Sequence, residues 1–274
     1  MKKVLLAVSV VATLVAMPAF AAVQNIKVSG DIDSTYVYRD RFDLSGRNGN
    51  TTQFEQSLFI TQTRLRVDAD LSDNVSATVL LINERAWDEE SSTNTADSTD
   101  IDLNLAYVKL REMLYSPLTV QIGRQNFMYG NEFIIGSVGT NNNIADGGLN
   151  GVAEDLTKRT AYDGIKLVFD YHPLTIDLFA AKADANNLAG TGRQKDDIDF
   201  YGINGNYQLG DQWNTTLEAY FFSRFDRSLN SIALAGLHPK TDTVYTPGLR
   251  ASTNPIKGLN VQGELAWQGG VKVV

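Results

Sequence analysis

The sequence predicts an all-β protein, an antiparallel up-and-down transmembrane β-barrel that is incomplete at about eleven strands. Three observations predict it. Side-chain character alternates with period two through one segment after another, short turns alternate with long polar connections, and nothing after Ala21 is apolar for long enough to cross a bilayer as a helix.

The chain opens with Lys2 and Lys3, an apolar run from Val4 to Ala16, and the small-residue site Ala19-Phe20-Ala21, the order of a secretory signal peptide. That run is shorter than the ~20 residues of a membrane-spanning helix, so an uncleaved anchor is the weaker reading. Residues 1–21 are therefore read as a signal peptide and 22–274 as one partial outer-membrane barrel domain, since no Pro-rich linker or compositional break divides them.

In the first strand Ile26, Val28, Gly30, Ile32, Tyr36 and Tyr38 share one face, and Lys27, Ser29, Asp31, Asp33, Thr35 and Arg39 take the other. The second repeats the pattern, with Phe59, Thr61, Thr63, Leu65, Val67, Ala69 and Leu71 against Gln62, Arg64, Arg66, Asp68 and Asp70. One set suits lipid and the other water. Further strands are expected at 75–87, 101–111, 118–127, 160–171, 174–183, 198–209, 213–224, 244–253 and 259–268. The strand from Ile101 switches parity between Leu105 and Ala106, which a β-bulge near Leu105 explains.

Turns at 72–74, 113–117, 172–173, 210–212 and 254–258 are short, whereas 43–57, 88–100, 128–159, 184–197 and 225–243 are long and polar. Short periplasmic turns facing long outer loops are the rule in bacterial outer-membrane barrels. Tyr36, Phe59, Trp87 and Trp267 fall toward the long loops and Tyr171, Tyr207 and Trp213 near the short turns, the two levels of an aromatic belt. A soluble β-sandwich or β-helix shares the periodicity but not the regular alternation of loop lengths.

Composition removes other classes. A net charge of −8 with a pI near 4.8 argues against nucleic-acid binding, which calls for a basic stripe. Without cysteine there is neither a disulfide framework nor a thiolate metal site. His172 and His238 sit in turns or loops, and neither an H-E-x-x-H pair nor a G-x-S-x-G elbow occurs. The Asp88-Glu89-Glu90 cluster lacks EF-hand spacing and reads as solvated. An enzyme is not expected, and no catalytic residue, metal or cofactor is assigned.

The stretch Ile122-Gly123-Arg124-Gln125, followed by Tyr129-Gly130-Asn131-Glu132 and Ile134-Ile135-Gly136, resembles the G-R-Q and Y-G-D-E/Q stretch of the alginate export family. Arg159-Thr160-Ala161-Tyr162-Asp163-Gly164 and Gly263-Glu264-Leu265-Ala266-Trp267-Gln268 are similar to two further strands of that family. The resemblance spans most of the mature chain, and 122–136 is its most specific part. It implies an outer-membrane location in a Gram-negative bacterium, insertion by barrel-assembly machinery, contact with outer-membrane lipid, and a hydrophilic or polysaccharide solute. It also implies barrels of roughly eighteen strands, so this chain is expected to supply an amino-terminal part of one. Val271-Lys272-Val273-Val274 lacks the terminal aromatic usual in such barrels, which points the same way.

With apolar residues outward, the pore-lining candidates are Arg39, Arg64, Arg66, Glu84, Lys166, Glu218, Arg224, Arg250 and Glu264, with Arg124 joining if Gly123 bends its strand. Two readings stand for each. The basic groups contact anions, or opposite charges pair across strands and stiffen the wall. The 128–159 connection is read either as a constriction folded inward or as a mobile outer loop. The functional expectation is a porin or export channel for hydrophilic, polysaccharide-like solutes. The competing expectation is a non-transporting surface barrel whose long loops serve adhesion or scaffolding.

Overall fold

The computed structural model describes residues 24–40, 55–87, 101–136, 156–184, 198–227 and 241–271. The expected signal peptide, most of each long connection, the acidic cluster at 88–90, His238 and the last three residues lie outside these. The described strands are β1 (Asn25–Asp40), β2 (Glu55–Ser72), β3 (Val75–Ala86), β4 (Asp102–Leu110), β5 (Leu118–Gln125) and β6 (Tyr162–Asp170). They continue with β7 (Leu174–Asp184), β8 (Ile198–Gln208), β9 (Thr216–Asp226), β10 (Asp242–Ile256), β11 (Leu259–Ala266) and the short β12 (Gly269–Val271).

β1 to β11 pair antiparallel in chain order within one sheet, the up-and-down meander that the period-two pattern and tight turns demand, and β12 pairs with β10. The short β12 was not expected, and Pro247 accounts for it. β11 pairs Gly248 with Ala266 and β12 pairs Tyr245 with Gly269, so both keep one register on β10. Between them the Trp267 amide donates to the Pro247 carbonyl at 3.0 Å, but proline has no N–H to return. One ladder bond is lost, and a single strand is cut in two.

The bulge expected near Leu105 is present. Leu80 opposes Leu105 and Leu81 opposes Leu103, so Asn104 is the extra residue that resets the parity of β4. β9 begins later than its alternation suggested, because Asp211 accepts from Thr215 Oγ1 at 2.6 Å and from its amide at 2.8 Å and holds that stretch in the turn. The sheet is open. β1 and β11 lie at its two ends and do not pair with each other among the described residues, which agrees with an incomplete barrel.

Large apolar side chains stay exposed on the outward parity: Ile32, Leu65, Ile165, Leu217, Leu249 and Leu265. A water-facing surface rarely carries so continuous an apolar sheet face, whereas the outside of a transmembrane barrel requires it. Near the long connections Tyr36, Phe59 and Trp87 form an exposed aromatic row with ring centroids 4.9 and 4.6 Å apart. Tyr171, Tyr207 and Trp213 are exposed by the short turns, as a two-level belt requires.

The inward parity departs from the expected wet face. Phe179, Ala181, Phe200, Tyr220 and Phe222 on β7–β9 point inward and are buried with Phe127, Tyr129 and Ile135, which lie in the chain that follows β5. Across the sheet Leu80 and Leu105 are buried against Ala161. Alternation groups these side chains on one face, but over these stretches water does not cover it. Both described ends of the 128–159 connection do, so the core lies inside the curved sheet rather than between two layers.

Candidate functional site

The site is built where the segment 126–136 leaves β5 and folds onto the concave face. Phe127 inserts beside Phe179 and Phe200, with centroids 4.9 and 5.8 Å away, and its burial alone contributes about 1.5–3 kcal/mol. Tyr129 stacks on Phe179 at 5.4 Å, and its hydroxyl donates to Asp177 Oδ2 at 3.2 Å.

Polar contacts then fix the tip across three strands. The Gly130 amide donates to Glu218 Oε1 at 2.9 Å, and the Asn131 amide donates to Glu264 Oε2 at 2.6 Å. Tyr220 Oη donates to the other oxygen of Glu264 at 2.6 Å. Arg250 lies between the two carboxylates in register, opposite Glu218 on one side and Glu264 on the other. Its Nε donates to Asn131 Oδ1 at 2.6 Å, Nη1 to Glu218 Oε2 at 3.3 Å and Nη2 to Gln262 Oε1 at 2.8 Å. Gly130 has φ of +63°, and a Cβ there would stand 2.5 Å from Glu264 Oε1, so a side chain at the tip would be strained and would displace the Glu264 carboxylate. The Glu132 amide closes the turn on the Tyr129 carbonyl at 3.0 Å.

A second inner segment, 156–161, covers the first half of the sheet. Glu84 is 3% exposed and accepts from Gln62 Nε2 at 2.6 Å, Thr157 Oγ1 at 2.5 Å and the Lys158 amide at 2.7 Å. Gln62 also donates to the Leu156 carbonyl at 2.9 Å, and Arg159 pairs with Asp102 at 2.9 Å. Lys158 Nζ reaches Asp33 at 2.8 Å.

The remaining candidates divide into wall pairs and one correction. Arg64 holds Asp31 with Nε and Nη2, Arg66 holds Asp68 two residues along its own strand, and Lys166 lies 3.7 Å from Asp177. Arg39 shares the inward parity, and Arg224 joins Asp226 at 2.7 Å. Arg124 is not inward. The ladder opposes Ile122 to Ile165 and Arg124 to Asp163, so Arg124 lies on the exposed outward parity, 3.3 Å from Asp163. Gly123 does adopt φ of +124°, with the Ala106 carbonyl where a Cβ would go, but the register runs through it unshifted to Gly164 and Asp163. Gln125 is fully buried and donates to the Gly164 carbonyl at 2.9 Å, binding the motif to β6.

Glu84 and Glu218 prove to be anchors beneath inner segments rather than exposed lining. Tyr220, Asn131 and Lys158 belong to the site but were not singled out as lining candidates. The available signal was the inward parity of β9, where Tyr220 and Phe222 interrupt an otherwise polar face.

An antiparallel sheet, apolar outside and belted with aromatics, whose concave face carries pinned inner segments, defines a protein of the transmembrane β-barrel class. The sequence model of the alginate export family matches residues 25–273, and the chain belongs to that family of outer-membrane transport channels, which are not enzymes. No curated protein matches the chain.

Proposed function

We propose that this chain forms the wall of an export channel that passes hydrophilic, polysaccharide-like solutes across the outer membrane of a Gram-negative bacterium. Residues 1–21 direct its secretion, and barrel-assembly machinery inserts the remainder. One observation carries the reading: the 126–136 segment is fastened across the concave face by Glu218, Glu264 and Arg250, the position of a constriction in a lumen. Arg39, Arg64, Arg66 and Arg224 then line the water-facing wall around it. Arg64 and Arg66 are each neutralised by a neighbouring aspartate, so this arc of the wall favours neither ion strongly.

Planar-bilayer reversal potentials across a salt gradient, with liposome swelling in neutral and anionic oligosaccharides, test the reading. Weak ion selectivity with passage of oligosaccharides is expected. Strong cation selectivity would remove the anionic-polysaccharide version, and sealed liposomes would favour the non-transporting surface barrel.

A further inference from the structure

Between the inner segment and the sheet lies a cleft of about 370 Å³, walled by Ile134 and Ile135 on one side and by Phe200, Phe222 and Val244 on the other. That volume is at the small-ligand end of the usual range for binding sites. Among the described residues the lining includes one formal charge, Arg224, whose side chain is 48% exposed. Its polar neighbours Thr246 and Gln268 bond to each other at 3.3 Å, and Tyr162 and Ser223 complete the polar part of the lining.

Arg224 differs from the other inward arginines in what it leaves uncommitted. Arg64 commits two nitrogens to Asp31, and Arg250 spreads three over Asn131, Glu218 and Gln262. Among the described residues Arg224 donates from Nη2 to Asp226 alone, so Nε and Nη1 remain to bind an oxyanion. The adjacent Asp226 carboxylate offsets part of the Arg224 charge, so a second negative charge on a ligand adds little attraction while it costs more to desolvate. The walls of Ile134, Ile135, Ile198, Phe200, Phe222 and Val244 select further, because a hydrocarbon ring gains from that surface whereas the hydroxyls of a sugar lying against it would lose water there.

We propose that this cleft binds a small monocarboxylate with an apolar, ring-sized body, its carboxylate paired with Arg224 and its ring held between Ile134 and Phe222. Binding requires no passage through a pore, so the proposal stands or falls separately from the channel reading.

Calorimetric titration of the full chain folded in detergent micelles tests it with three probes: 4-ethylbenzoate, its neutral analogue 4-ethylbenzamide, and glucuronate, which has the charge without the apolar body. The expected result is one-to-one binding of 4-ethylbenzoate, with both other probes weaker by about tenfold or more. Arg224→Gln should bring 4-ethylbenzoate down to the level of the amide, and Arg224→Lys should restore part of the difference. Equal binding of benzoate and amide, glucuronate binding as tight as benzoate, or undiminished benzoate binding by Arg224→Gln would each overturn the proposal. Should Arg224→Gln fail to fold, the three probes on the unsubstituted chain decide by themselves.

Discussion

The backbone amide of Asn131 donates to Glu264 Oε2 at 2.6 Å across 133 residues of sequence, tying the chain after β5 to one of the last strands of the sheet. This bond and the one from Gly130 to Glu218 set where the inner segment crosses the concave face. Both acceptors are carboxylates, and hydrogen bonds to charged groups are about twice as strong as neutral ones.

Glu264→Ala removes the acceptor of both Asn131 and Tyr220 and should lower stability by on the order of 1.5–3 kcal/mol. Glu264→Gln keeps one acceptor and should cost less. Denaturant titration measures the loss. In bilayers the alanine variant should show larger and noisier conductance as the tip comes loose, and unchanged conductance would place the constriction elsewhere.

Glu84→Ala strips the second inner segment of its anchor and leaves donors of Gln62, Thr157 and Lys158 without their carboxylate. Each buried donor left unsatisfied costs about 1–3 kcal/mol. Glu84→Gln should cost less, because the retained oxygen can still accept from Gln62 and the Lys158 amide, and the Thr157 hydroxyl can accept from the new amide. Protease cleavage near residue 157 should become faster in both variants while remaining slow at the 126–136 segment.

Leu65→Arg places a charge on the exposed apolar face and should cost about 2–4 kcal/mol if the position is near mid-bilayer. Folding titration in lipid vesicles reads this directly. Arg64→Lys, one residue away on the opposite face, should change stability by less than about 1 kcal/mol, since its partner Asp31 is partly exposed.

Asp211 in the turn between β8 and β9 titrates below the ordinary carboxylate value. The hydroxyl of Thr215 is the largest cause, followed by the Thr215 amide, with the Trp213 amide adding to them. A depressed folded-state value means that the charged form stabilises the fold. The contribution is complete above the unfolded value of about 3.9 and disappears as pH falls through the lower, folded one. Amide exchange at Thr215, corrected for its intrinsic pH dependence, should accelerate in acid, and Asp211→Asn should abolish that dependence.

The sequence by itself determined the eleven longer strands, their order and the alternation that gives each of them two faces. Alternation over Phe59–Leu71 assigns Leu65 outward and Arg64 inward, and the parity switch at Leu105 locates the bulge. These features are local. A period of two is a property of one strand, and a tight turn allows only antiparallel neighbours.

Tertiary structure alone decided what covers the inward face. Tyr220 and Phe222 share a parity with Glu218, and no local pattern says whether that parity meets water or another part of the chain. The answer is Tyr129 and Phe127, residues contributed by a connection some ninety positions earlier. Arg124 shows the same limit from the other side: glycine at 123 permits a bend, but the ladder to Gly164 and Asp163 holds the register straight and keeps the arginine outward. Burial depends on which distant surfaces meet. The hydrophobic effect that drives this meeting has no direction of its own, so the partner is fixed only when the whole sheet has curved around it.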